Sequence, residues 1–334
     1  MIASLARLPA RVLLATALLG LALATAPLVV DGYILSVILI ALYFAYVGQA
    51  WNIVMGYAGQ LSLGHALYVG LGAYMAAALY IHAGIPPILG VFPAVAGAAL
   101  AAAIIGALAF RFRIGGVYFA LLTIAFAEFT RILFMHIDWL GATEGLFLPV
   151  ENRTTNDLLN LRGSPTMFYY VLLSLVVASV ALAYYLRESR LGFFLRAVRE
   201  DEDAAEASGI NIFRVKMIAV VLSGAMTSVG GVILAFYYNN LFPSDVFGMH
   251  RSIEIILAPI VGGLGTLFGP LIGAFALGIL GEGLTAVLEA SGTSTAGIKQ
   301  LVYAAMLIVI IKFLPGGLWP SIARLIRLDR GGER

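Results

Sequence analysis

Long apolar runs alternate along the chain with short polar breaks, and most of the runs are long enough to cross a lipid bilayer. A helix of about 20 apolar residues spans the hydrocarbon core. Runs of that order lie at 12–30, 33–55, 60–82, 86–109, 115–136, 167–186 and 215–238. An apolar region at 252–289 follows, and a run at 298–314 closes the series. The 252–289 region is long enough for two short crossings, and it also fits a re-entrant segment. The pattern predicts an all-α, polytopic membrane helical bundle of about 8–10 transmembrane helices, with glycine-broken or re-entrant segments, as a single transmembrane domain over 1–334.

Two of the breaks are dense in glycine. Gly56-Tyr57-Ala58-Gly59-Gln60-Leu61-Ser62-Leu63-Gly64 opens the third run, and Gly262-Gly263-Leu264-Gly265-Thr266-Leu267-Phe268-Gly269 lies inside 252–289. Each precedes an apolar helix with further glycines, Gly70 and Gly72 in one case and Gly273 and Gly278 in the other. Paired glycine-interrupted segments in two halves of a membrane protein mark discontinuous helices near a polar pathway. Freed backbone is tolerated at membrane depth only where it is buried in protein or lines a cavity. Close helix packing through small residues is the competing reading. It fits the second segment better. It does not explain the polar Gln60, Ser62 and His65 of the first, which we assign to a pathway.

Orientation follows from Lys and Arg in the loops, which concentrate on the cytoplasmic side. Arg7 and Arg11 precede the first run, Arg111 and Arg113 follow the fourth, and six basic residues lie in 187–216. The tail carries Lys312, at the end of the last run, and Arg324, Arg327, Arg330 and Arg334. Alternating crossings bring all of them to one face if 252–289 crosses twice or not at all, so both termini are expected to be cytoplasmic in a bacterial inner membrane. Ala24-Thr25-Ala26 has the small-x-small form of a cleavage site. The run continues to Val30, however, so a retained first helix is expected.

Composition agrees with this class. The chain is 61% hydrophobic and 11% charged, against roughly 25% charged in a soluble domain. With no cysteine, disulfide, thiol and cysteine–metal chemistry are excluded. The formal net charge of +2 is uninformative about partners. Enzyme signatures are absent as well: there is no G-x-x-x-x-G-K-[ST], no H-E-x-x-H and no G-x-S-x-G. We expect no catalytic residue, no metal site and no cofactor in this chain, and no nucleic-acid partner.

Polar residues at membrane depth are functional candidates. Gln49 and Asn52 share a face at i, i+3 late in the second run, and with Gln60, Ser62 and His65 they form the candidate translocation set. Glu128 and Arg131, also i, i+3, are expected to pair structurally. Glu254 and Glu282 bracket the second glycine break, Glu254 toward the outer edge and Glu282 deeper, each as a proton or cation site or a bond to a neighbouring helix. His82, His136 and His250 fall near interfaces and need no special role. The outer loop 138–165 is turn-rich and polar, either a docking surface over the mouth or a solvated linker.

One loop stands apart. Residues 187–216 hold 12 of the 38 charged residues, an island between apolar runs. Glu200 to Ala207 is a helix-forming run, acidic toward its start in accord with the helix dipole, and Gly209 is a natural stop. A short helix on the cytoplasmic face with small Ala204, Ala205 and Ala207 can seat in a partner's groove. The run Asp203-Ala204-Ala205-Glu206-Ala207-Ser208-Gly209 resembles the docking motif by which membrane subunits of ATP-driven importers hold their ATPases, although the Ile-x-Leu-Pro that often follows is absent.

Four stretches together resemble a known family: Asn52 through His65, Gly116-Val117-Tyr118-Phe119-Ala120-Leu121-Leu122-Thr123, Arg196 through Asn211, and Gly262 through Pro270. The chain is similar, from about 40 to 315, to the LivM-type membrane subunits of branched-chain amino acid ABC importers. The resemblance implies a permease paired with a sister permease, two cytoplasmic ATPases that bind ATP and magnesium, and a periplasmic binding protein. It implies alternating access driven by those ATPases. It places ATPase coupling on Glu200, Asp203, Ala204, Ala205, Glu206 and Gly209. The family often has a Thr-Gly-Gly or Thr-Asn-Gly run where this chain reads Gly141-Ala142-Thr143-Glu144-Gly145-Leu146. Urea, short amides and other small organic solutes therefore stand beside branched-chain amino acids as cargo. A stand-alone ion-coupled transporter, with a carboxylate at mid-membrane, is the rival reading, and a non-transport scaffold is a third.

Overall fold

In the computed structural model, the described residues are 20, 23–149, 156–290, 297, 298, 301, 304, 305, 308, 312–314 and 316–325. They form a helical bundle. The helices are α1 (Gly32–Asn52), α2 (His65–Ala83), α3 (Pro87–Arg111), α4 (Gly116–Phe134), α5 (Pro165–Glu188), α6 (Arg190–Glu200), α7 (Glu202–Ala207), α8 (Ile212–Tyr238), α9 (Met249–Gly262), α10 (Gly269–Ala290) and α11 (Leu318–Leu325). Among the described residues, six are long and apolar enough to cross a membrane: α1 with the turn that extends it, α2, α3, α4, α5 and α8. The expected run at 12–30 and the run at 298–314 lie largely outside the described residues.

Local signals set the helix ends. Asp31 caps α1 by accepting from the Ile34 amide at 2.8 Å, which satisfies one of the orphan donors of a first turn. Proline at the start of α3 and α5 suits a position whose amide needs no partner. Gly84 stops α2 in the left-handed conformation, φ 64°.

One expectation about these elements is corrected. The third crossing starts at His65, and residues 60–64 are not helical. The 252–289 region, by contrast, is two helices, α9 and α10, separated by a break at 263–268, which fits the expected pair of short segments around the glycine run.

The core is built on small residues. Cβ atoms added to Gly72 of α2 and Gly231 of α8 would each come within 2.1 Å of a backbone oxygen on the other helix, Ser228 and Val69 respectively. Ala94, Ala98 and Ala102 form a buried row at i, i+4 on α3, and Gly224 of α8 lies against Ala102. Such rows let helix backbones approach where lipid offers no hydrophobic drive to association. The same logic joins α9 to α10, because a Cβ on Gly273 would lie 1.9 Å from the Ala258 oxygen. Outward faces of α3 and α4 carry exposed Phe92, Leu100, Ile104, Val117, Leu121 and Phe129, a surface suited to acyl chains.

At the end of the bundle away from the charged island, the described parts of the 138–165 loop, 138–149 and 156–165, are folded. Leu146–Phe147 (β1) pairs antiparallel with Asn240–Leu241 (β2). Tyr74 of α2 donates to the Leu241 carbonyl at 2.9 Å and stacks on Phe247. Arg162 lies over the Tyr80 ring. The Asn160 side-chain amide, bonded to Asp157, holds that carboxyl below its ordinary range.

Candidate functional site

Near the island, α1 leaves regular helix through a π turn, Ile53–Tyr57. Such turns are rare and concentrate at functional sites. The Asn52 side chain turns across to the second glycine break: its amide donates to the Thr266 carbonyl at 3.0 Å and its oxygen accepts from the Gly265 amide at 2.8 Å. The two breaks, more than 200 residues apart in sequence, therefore meet. A Cβ on Gly56 would lie 2.6 Å from the Gly265 nitrogen, so only glycine permits the approach.

Residues 60–64 are irregular, and the polar groups of 60–66 find partners from four helices, α1, α4, α8 and α9. Trp51 donates its indole N–H to the Ser62 carbonyl at 2.7 Å. The Leu63 amide donates to Thr123 of α4 at 3.0 Å. The Ala66 amide donates to Ser252 of α9, also at 3.0 Å. Below them, His65 Nδ1 is bonded to Ser62 Oγ at 3.0 Å and Nε2 to Ser223 Oγ at 2.8 Å. Ser223 in turn donates to the Ala50 carbonyl at 2.7 Å. This is how irregular backbone survives at membrane depth.

Gln49, Asn52, Gln60, Ser62 and His65 are thus all buried, at 4% exposure or less. Asn52, Ser62 and His65 spend their polar groups on protein partners. Gln49 Nε2 and Gln60 Oε1 have none among the described residues. Thr123, Ser223 and Ser252 belong to the same network and were not singled out from the sequence; an isolated hydroxyl in an apolar helix carries no spacing signal.

The carboxylates lie elsewhere. Glu128 and Arg131 pair as expected, at 2.5 Å. Glu254 bonds Arg251 at 3.0 Å. Glu282 accepts from the Tyr33 hydroxyl, and Tyr33 is the second residue of α1. Glu282 is therefore near the same end of the bundle as Glu254, not deeper. Both line one groove of about 150 Å³ between α1, α9 and α10, with apolar walls including Ile40, Phe44 and Leu277. His82, His136 and His250 bond, respectively, the Trp139 carbonyl, the Ile132 carbonyl and Asp245.

The island folds as two helices where one was expected. Ser189 caps α6. Glu200 ends α6, and Asp201 caps α7 by accepting from the Ala204 amide at 3.0 Å. Gly209, at φ 83°, turns the chain, and Asn211 caps α8. Of the candidate coupling residues, Ala205 is buried and anchors α7, while Glu200, Asp203, Ala204, Glu206 and Gly209 are exposed. Glu202 pairs at 2.5 Å with Lys216, which is 5% exposed and lies over the Phe110 ring. Glu206 meets Arg113 at 3.3 Å on the surface. A cleft of about 420 Å³ lies alongside, lined by Phe110, Arg113, Asp203 and Ile212 among others. From α6, Arg199 Nη1 donates to the Gly56 carbonyl at 2.5 Å, so the island touches the first glycine break directly.

Residues 33–311 match the family described as branched-chain amino acid transport system / permease component. The chain belongs to this family. The permease is 26% identical over 95% of its length to the high-affinity branched-chain amino acid transport system permease protein LivM of Escherichia coli K12, covering 77% of that protein. It is 26% identical to the LivM of Salmonella typhimurium over 86% of this chain and 70% of the relative. It is also 33% identical to the E. coli permease protein LivH, over 42% of this chain and 44% of LivH. No solved structure matches. The matched region of the permease holds both glycine breaks and the whole island. It is a multi-pass membrane protein of a transport permease family.

Proposed function

We propose that this chain is the permease subunit of an ATP-binding-cassette importer that carries branched-chain or other hydrophobic amino acids across the bacterial inner membrane by alternating access. In this reading it pairs with a sister permease, two cytoplasmic ATPases and a periplasmic binding protein. ATP and magnesium are bound by the ATPases. The observation that carries the reading is the island: a separately capped, acidic, outward-facing helix α7, tied through α6 to a broken membrane helix. A helix with exposed Asp203, Ala204 and Glu206 and an inward anchor at Ala205 has the form of a ball that a partner's groove can push.

Positive charge at the island end supports a cytoplasmic position for that end and for both termini. Closure of the ATPase dimer then displaces α6 and α7, and the displacement reaches the glycine breaks. We keep Gln49, Asn52, Gln60, Ser62 and His65 in the pathway as its packed hinge, since four of the five are engaged by protein partners. Ion-coupled transport draws no support from Glu128, Glu254 and Glu282, which pair with Arg131, Arg251 and Tyr33.

The test is a mild-detergent pull-down of the tagged chain from its native membrane with mass spectrometry, followed by reconstitution in liposomes and uptake of radiolabelled leucine. Recovery of a second permease and ATPase chains, with ATP-dependent uptake, is expected. A homo-oligomer without ATPase chains would refute the importer reading. ATP-dependent uptake of urea or short amides in place of leucine would correct the cargo alone.

A further inference from the structure

The first glycine break presents one carbonyl, that of Gly56, at the end of the π turn. Its neighbours are accounted for: the Val54 carbonyl accepts from the Gln60 amide and the Met55 carbonyl from the Gly59 amide. The partner of the Gly56 carbonyl is the Arg199 guanidinium, at 2.5 Å. The negative end of a helix favours a cation, and a charged donor makes a bond roughly twice as strong as a neutral one. Arg199 reaches this carbonyl because three positions lack a side chain. A Cβ on Gly59 would lie 2.8 Å from Arg199 Cγ, and a Cβ on Gly265 would lie 2.8 Å from Arg199 Nη1. Gly56 itself has no room for one. The guanidinium therefore sits between both breaks, beside the Asn52 bridge, while its backbone belongs to α6, two residues before the Asp201 cap of α7.

We propose that Arg199 is the positioning residue through which movement of the island acts on the two broken helices, a reading that rests on the ATP-driven importer proposed above. Retained, the bond clamps Gly56 and Gly265 together at the island end. Withdrawn with α6, it releases the Gly56 carbonyl, and the breaks are free to part around the Asn52 bridge. Among the other charges of the island, Glu202 reaches the first break only at the Gln60 side chain, at 3.5 Å, and not at the broken backbone. Arg196 bonds carbonyls of its own neighbourhood, Gly192 and Arg187, and the Arg113–Glu206 pair lies on the surface.

The experiment uses the complete transporter in liposomes and reads leucine uptake and ATP hydrolysis together. Arg199→Gln is expected to lower uptake per ATP hydrolysed by roughly tenfold or more, the weight of one charge-assisted bond, with hydrolysis retained. Arg199→Lys, which keeps a cation in reach of the carbonyl, is expected to restore part of the ratio. Arg196→Gln is the matched control and is expected to leave it unchanged. An unchanged ratio in Arg199→Gln, or an equal loss in Arg196→Gln, would overturn the proposal. If Arg199→Gln does not assemble, Arg199→Lys decides: a ratio between wild type and one-tenth supports the clamp, and a wild-type ratio refutes it. A wild-type complex without ATP-driven uptake of any solute would instead count against the importer reading and remove the premise.

Discussion

At the scale of single residues, the bonds made by His65 account for much of the order around the first break. It joins α2 to α8 through Ser223 and to the preceding segment through Ser62. His65→Ala removes two buried bonds and leaves a cavity, an expected loss of about 2–4 kcal/mol, read as a lowered midpoint of thermal unfolding in detergent. An unchanged midpoint would mean the network contributes nothing. Gly72 makes a second case, because a Cβ there meets the Ser228 backbone oxygen rather than a side chain that can move aside. Gly72→Ala should force α2 and α8 apart at about 1–3 kcal/mol. Gly115→Ala, where a Cβ meets nothing within 4 Å, should be neutral in the same assay.

At the scale of elements, the island has two ion pairs of unequal weight. Lys216 is buried, so removing its partner leaves an uncompensated charge, a loss of about 3–5 kcal/mol in a buried pair and less here because Glu202 is partly open to solvent. The Arg113–Glu206 pair is exposed on both sides and such pairs contribute within about 1 kcal/mol. Glu202→Ala should therefore raise hydrogen exchange through α7 and the start of α8, and Glu206→Ala should not. Equal protection in the two variants would contradict this ranking. The Asp201 cap is worth about 1 kcal/mol to a helix of 6 residues, so Asp201→Ala should fray α7 while leaving α6 protected.

At the scale of the whole molecule, the bundle has one charged end and, at the other, the loop that pairs β1 with β2, and orientation is the property to test. The absence of cysteine gives a clean background. Asp203→Cys and Ser244→Cys both place a thiol at an exposed position, at opposite ends of the bundle. A membrane-impermeant maleimide applied to intact spheroplasts should label position 244 and not 203, and inverted vesicles should reverse the result. Labelling of 203 from outside would invert the topology.

The sequence by itself determined the class, six of the crossings to within a few residues, the existence of both glycine breaks and the charge asymmetry. These follow from apolar run length, from glycine and from Lys/Arg placement, all of which are local. It also determined that the island ends in a helix stopped at Gly209, but not that Asp201 divides it, since a cap depends on a backbone turn that the helix-forming run Glu200–Ala207 conceals. Only the tertiary structure decided that the two breaks touch. Asn52 carries no mark of Gly265 and Thr266, and Arg199 reads as one more basic residue in a loop. Their partners lie more than 140 residues away and are selected by packing distance, a quantity that no local pattern encodes. The depth of Glu282 was decided in the same way, by its contact with Tyr33 across the bundle.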